Sequence, residues 1–140
     1  MRSNYGEGSY FMEMAKFDPS YDEAKAMLIE SCEDLKSALQ RENEERKRIR
    51  AAFNGLFHAA RIAAMTFLAI ENSKWGHIRK ELLHPYKEEF EAFIRTLHIE
   101  YFYNGNYPKN YKEEFEKWYK KVEKFINGLE EKRRGKKIKN

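Results

Sequence analysis

The chain has a single cysteine, Cys32, so it can form no disulfide within itself, and that fits a reducing, cytoplasmic compartment. Its first residues, MRSNYGEGSYF, lack the apolar core of a signal peptide. The longest nearly apolar run, Ile62 to Ile70, falls far short of the roughly 20 residues that a membrane span needs, so no membrane is expected as a partner. No stretch alternates apolar and polar residues as a half-buried strand does, and no internal repeat is evident. The glycine-rich phosphate loops, the G-x-S-x-G nucleophile elbow, C-x-x-C pairs and the H-E-x-x-H zinc signature are all missing. One Glu81-x-x-His84 occurs, but a ferritin-like dimetal centre takes two such pairs and two further glutamates. The sequence therefore predicts no metal and no cofactor.

What is present is a folded helical domain. With 140 residues, 41% of them hydrophobic and 15% aromatic, the chain can bury one core and is not disordered over its whole length. The formal charge of +4 is uneven. Lys132, Arg133, Arg134, Lys136, Lys137 and Lys139 contribute six positive charges, and 4 − 6 = −2 is left for residues 1–131. The body is close to neutral and shows no general footprint for a polyanion, whereas the tail would attract one.

The most apolar stretch is Arg50 to Ile70, RAAFNGLFHAARIAAMTFLAI. A helix this apolar is surrounded by others. Its polar residues Arg50, Asn54, His58 and Arg61 fall on one line of a 3.6-residue helix. They form either a groove for phosphate or a nucleotide, or an edge bonded to neighbouring helices. Before it, Asp18-Pro19-Ser20 starts a helix with Ala24, Leu28, Ser31, Leu35 and Leu39 on one face, running to about Asn43. The central helix should stop near Asn72-Ser73. A third helix, Lys74 to His84, breaks at Pro85 and resumes at Tyr86 with Phe90, Ile94, Leu97 and Tyr101 aligned. Asn104-Gly105-Asn106-Tyr107-Pro108 is a turn. The last helix spans Lys109 to about Lys132, with Tyr111, Phe115, Trp118, Val122, Phe125 and Leu129 aligned. The predicted architecture is all-α: an up-and-down bundle of four main helices with a broken third helix over 18–132. An arm (1–17) precedes it and a basic, disordered tail (133–140) follows.

Two further segments carry chemistry. Arg79, His84 and Tyr86 read R-x4-H-x-Y. An Arg could hold a phosphate while a His moves a proton to or from a ribose 2′-hydroxyl, which would cleave RNA without a metal. A match to R-x4–6-H arises about once by chance in a chain of this composition, so the bland alternative is a surface Arg and a helix-terminal His. Arg95, His98, Tyr101 and Phe102 precede the aromatic turn; they either stack bases or cover the end of the bundle.

Residues 50–70 resemble the second helix of HEPN domains, with Arg50-Ala51 and Phe57-His58-Ala59-Ala60-Arg61 matching that family's R-A…F-H-A-A-R pattern. The order of the helices agrees over about residues 20–130. The resemblance implies a helical bundle that forms a homodimer and often pairs with a minimal nucleotidyltransferase as a toxin–antitoxin couple. It also implies a metal-independent ribonuclease in many members and an inactive binding module in others. Under it, Arg79 and His84 are the catalytic residues, and Arg50, Asn54, His58, Arg61, Tyr86, Arg95 and Tyr101 bind RNA or a nucleotide. A second alignment, keyed on His77, moves the functional position to Arg95 and Tyr101. The function expected is an RNA- or nucleotide-linked protein, with a non-catalytic module for a protein partner as the alternative.

Overall fold

The computed structural model describes residues 20–38, 45–71 and 74–139, with side chains as far as Arg133. The expected arm at 1–17, the Asp18-Pro19 start, the continuation of the first helix through Leu39 to Asn43, and Asn72 and Ser73 lie outside these residues. The described chain is all-α. Its elements are α1 (Tyr21–Ala38), α2 (Glu45–Leu68), α3 (Trp75–Glu81), α4 (Tyr86–Ala92), a π-helical segment (Phe93–Tyr103) and α5 (Tyr111–Lys139). No described helix is long and apolar enough to cross a membrane.

Ser20 caps α1: its Oγ accepts the Glu23 backbone N–H at 3.1 Å, as a capping serine should. Acidic Asp22 and Glu23 in the first turn and Lys36 in the last complement the helix dipole. Ala24, Leu28 and Ser31 are buried against α2, the element on which α1 chiefly packs. The central helix begins earlier than its apolar stretch, at Glu45, and buries residues on nearly every face. Phe53 shows what this burial achieves, since its ring touches Tyr101, Tyr107 and Phe115, drawn from three other parts of the chain.

The seam between α1 and α2 is very close. A methyl group added at Gly55 would stand 2.2 Å from Ser31 Oγ and 3.2 Å from Ser31 Cβ. Ser31 is itself buried, and its hydroxyl donates to the Met27 carbonyl at 3.0 Å. Gly55 is therefore there for approach, not for flexibility.

The central helix ends at Leu68, before the predicted stop. Ala69 adopts a left-handed φ of 59°, its N–H reaches Thr66 O, and the Ile70 N–H reaches Met65 O at 3.0 Å. This is a Schellman ending with alanine where glycine is usual. Arg133 on α5 adds a cation there, donating to Phe67 O at 2.6 Å.

The third helix breaks as the proline predicts: α3 ends at Glu81 and α4 starts at Tyr86, after the cis His84–Pro85 peptide. Phe90, Ile94, Leu97 and Tyr101 are all buried, as their spacing implies. From Phe93, however, the backbone is π-helical, and the segment closes with Asn104 N–H on Ile99 O at 2.9 Å. Gly105, at φ 73°, then reverses the chain inside the predicted turn. The backbone of α5 stays helical to Lys139, past the boundary at Lys132 where a disordered tail was expected. Lys and Arg are good helix formers, and their charge suits a helix C-terminus.

Two substitutions test these backbone details in opposite directions. Gly55→Ala should destabilise by about 1–3 kcal/mol through overpacking, although alanine is the better helix former by about 1 kcal/mol. Ala69→Gly should stabilise by about 1 kcal/mol by relieving the left-handed alanine. Urea unfolding midpoints should move down for the first and up for the second. A stabilised Gly55→Ala would refute the close seam.

Candidate functional site

The polar line on α2 meets the π-helical segment. Arg50 lies one side of that contact: its Nε donates to Phe102 O at 2.7 Å and its Nη2 to Tyr103 O at 2.8 Å. Arg46, one turn earlier, donates to Gly105 O at 3.1 Å and lies over the Tyr107 ring. The Phe102 and Tyr103 carbonyls are at the C-terminal end of the segment, where cations belong, and Gly105 lies just beyond it. Arg50 is thus a cap for a neighbouring helix.

One turn further, Asn54 bridges two imidazoles. Its Oδ1 is 2.8 Å from His98 Nδ1, and its Nδ2 is 3.1 Å from His58 Nε2. With the amide oxygen facing His98 and its NH2 facing His58, His98 donates from Nδ1 and His58 accepts at Nε2, which requires a neutral His58 ring. Burial lowers both pKa values, and Arg61 adds to the effect at His58. His98 also stacks on Phe57 at 4.7 Å and on Phe102 at 5.9 Å, and meets the edge of Trp75 at 6.3 Å. The half-buried Arg61 completes the line, its own pKa lowered by burial.

Trp75 carries this network to the surface. It forms one wall of a cleft of about 370 Å³, with Arg79 from α3, Glu91 from α4, and Ile94, Arg95 and Ile99 from the π-helical segment. The arginines singled out by the two alternative alignments therefore line one cleft. Among the described residues neither guanidinium forms an ion pair. Both are exposed, and Glu91 is the acidic member of the lining.

His84 is not part of that lining. It is exposed at the break, with Nδ1 3.1 Å from Glu88 Oε2, and this bond is the main reason that the Glu88 carboxyl is held below its usual range. Tyr86 acts as a strut: its ring packs on Phe67 and Phe125, and its hydroxyl donates to Gly128 O at 3.4 Å. Tyr101 is buried, with its ring on Phe53 and its hydroxyl donating to Glu114. Trp118 Nε1 donates to the same carboxylate at 2.8 Å. Burial would raise the Glu114 pKa, but these bonds outweigh it and the carboxyl is lowered. Of the residues expected to bind, Arg50, Asn54, His58, Tyr86 and Tyr101 are thus engaged inside the fold, Arg61 is half-buried, and Arg95 lines the cleft together with Arg79, one of the two expected to be catalytic.

Sequence reasoning missed Trp75 and Glu91. Their register was the signal: Trp75 and Arg79 are four residues apart on α3, as Glu91 and Arg95 are across the α4–π junction.

A larger depression of about 510 Å³ lies between α1 and α5, lined by Leu35, Phe115 and Tyr119 with Lys and Glu side chains at its rim. Cys32 lines it too, half-buried and not deep in the core. Burial raises the thiol pKa, so Cys32 is not an activated nucleophile. The smaller cleft has the convergent unpaired charge and is the better candidate site. Protein-family models, curated proteins and solved structures yield no match to this chain.

The half-buried histidine pair predicts a pH dependence. Both folded-state pKa values lie below the usual 6.5, so the unfolded chain takes up protons first as the pH falls. Stability is fully present above that pKa and declines below it. The urea midpoint should fall between about pH 7 and about pH 5.5, and less so in His58→Gln. A midpoint constant across that window in the unmodified chain would contradict the lowered pKa values of the half-buried pair.

Proposed function

We propose that this chain is a HEPN-like RNA- or nucleotide-binding protein, and that its phosphate-receiving site is the cleft of Trp75, Arg79 and Arg95. One observation carries the reading: two guanidiniums that form no ion pair among the described residues and an indole wall line the same cleft. Arg offers a planar fork of donors suited to phosphate oxygens, and an aromatic face accepts any base. The Phe57-His58-Ala59-Ala60-Arg61 stretch supplies the class. It also supplies the expected company: a second copy of the chain, a minimal nucleotidyltransferase and a toxin-type role.

The ribonuclease assigned to Arg79 and His84 is the catalytic form of this proposal. It requires His84 to reach a phosphate held at Arg79. In the free chain His84 is paired with Glu88 outside the cleft lining, so binding is the reading favoured for the chain alone. The apolar depression between α1 and α5 favours a second reading, a non-catalytic module that receives a protein partner.

The test is labelled oligoribonucleotide incubated with the purified chain in EDTA, read by fluorescence anisotropy and on a gel. Binding should weaken at least tenfold in Arg79→Ala/Arg95→Ala, with circular dichroism and melting unchanged because both side chains are exposed. RNA binding that ignores this double change would overturn the site. EDTA-resistant cleavage lost in Arg79→Ala/His84→Ala would establish the catalytic form. Cleavage that survives that change would remove those two residues from it.

A further inference from the structure

The chemistry of the cleft is more specific than affinity for RNA. Its charged lining is Arg79, Arg95 and Glu91, and the rest is Trp75, Ile94 and Ile99. At about 370 Å³ it sits at the low end of the range for small-ligand sites. From this lining we infer that the cleft takes one nucleotide by a terminal phosphate, with the base against Trp75 and the phosphate between Arg79 and Arg95. The inference rests on the RNA- or nucleotide-binding reading above.

Three features favour a terminal phosphate over a strand passing through. A phosphomonoester carries a charge of about −1.5 to −2 at neutral pH and has three acceptor oxygens. That complements two guanidiniums, whereas an internal phosphodiester has one charge and one pair of oxygens, which a single Arg satisfies. Next, Glu91 shares the cleft. Its carboxylate would repel a second phosphate but accepts hydrogen bonds from ribose hydroxyls or an exocyclic amine. Finally, residues 1–131 sum to −2, so the body as a whole has no net attraction for a polyanionic backbone.

The indole is well placed to act as a fixed platform. Trp75 is half-buried and meets His98, which is itself bonded to Asn54 and stacked on Phe57 and Phe102. A base stacking there would meet a wall already set by the core, so little ordering is lost on binding.

The experiment uses the full chain and one RNA sequence in three forms, with 5′-phosphate, with 3′-phosphate and with hydroxyls at both ends, together with AMP and adenosine as competitors. Removing the terminal phosphate should weaken binding at least tenfold, and AMP should compete where adenosine does not. The favoured end tells a 5′ from a 3′ source, and competition by AMP without RNA binding assigns the site to free nucleotides; each of these supports the inference. Trp75→Phe and Arg95→Lys should each reduce the AMP effect at least fivefold, with melting unchanged in Arg95→Lys, whose side chain is exposed. If all three RNA forms bind equally and Arg79→Ala/Arg95→Ala weakens them alike, the terminal-phosphate inference is overturned while RNA binding stands. If neither RNA nor AMP binds, both fall.

Discussion

Arg50 and Asn54, one turn apart on α2, hold the π-helical segment in place. Arg50 occupies the segment's terminal carbonyls and Asn54 holds His98 at 2.8 Å. A helix buried on most sides cannot leave such groups without partners, because each would keep the cost of desolvation and gain nothing. Satisfying them fixes the register of the π-helical segment against α2. That segment carries Arg95, and the His98 ring meets the indole of Trp75. The placement of the cleft thus follows from hydrogen bonds made inside the protein.

The same network sets the electrostatics. Burial disfavours the charged form of both imidazoles, and Arg61 adds to this at His58. The positive charge of the cleft then comes from Arg79 and Arg95. The fold is therefore sensitive to acid through His58 and His98.

Much of the architecture was legible in the residues. The apolar lines of α1, the π-helical segment and α5, the break at Pro85 and the reversal at Gly105 all follow from periodicity and from the proline and glycine positions. Less was legible where tertiary contacts override local signals. Ala69 ends α2 in a conformation for which glycine is the usual marker, so the stop was placed too late. The π-helical winding from Phe93 to Tyr103 keeps the apolar spacing of an ordinary helix closely enough to hide itself. At the site, the sequence grouped polar residues by their position along α2, but their roles depend on what each meets. Arg50 meets carbonyls and Asn54 meets an imidazole, so a line that reads as a phosphate groove is largely an internal seam. Arg79 and Arg95 come together only because the chain folds back at Pro85, a relation that no spacing along the sequence contains.

The most direct test of this division between internally bonded and cleft-lining residues is a side-chain NMR titration of the chain with AMP. The account predicts shifts at the Trp75 indole N–H and the Arg79 and Arg95 Nε–H groups, with Arg50 Nε–H and the His58 ring unmoved. Shifts centred on Arg50, Asn54 and His58, with Trp75 and the two cleft arginines unaffected, would contradict it.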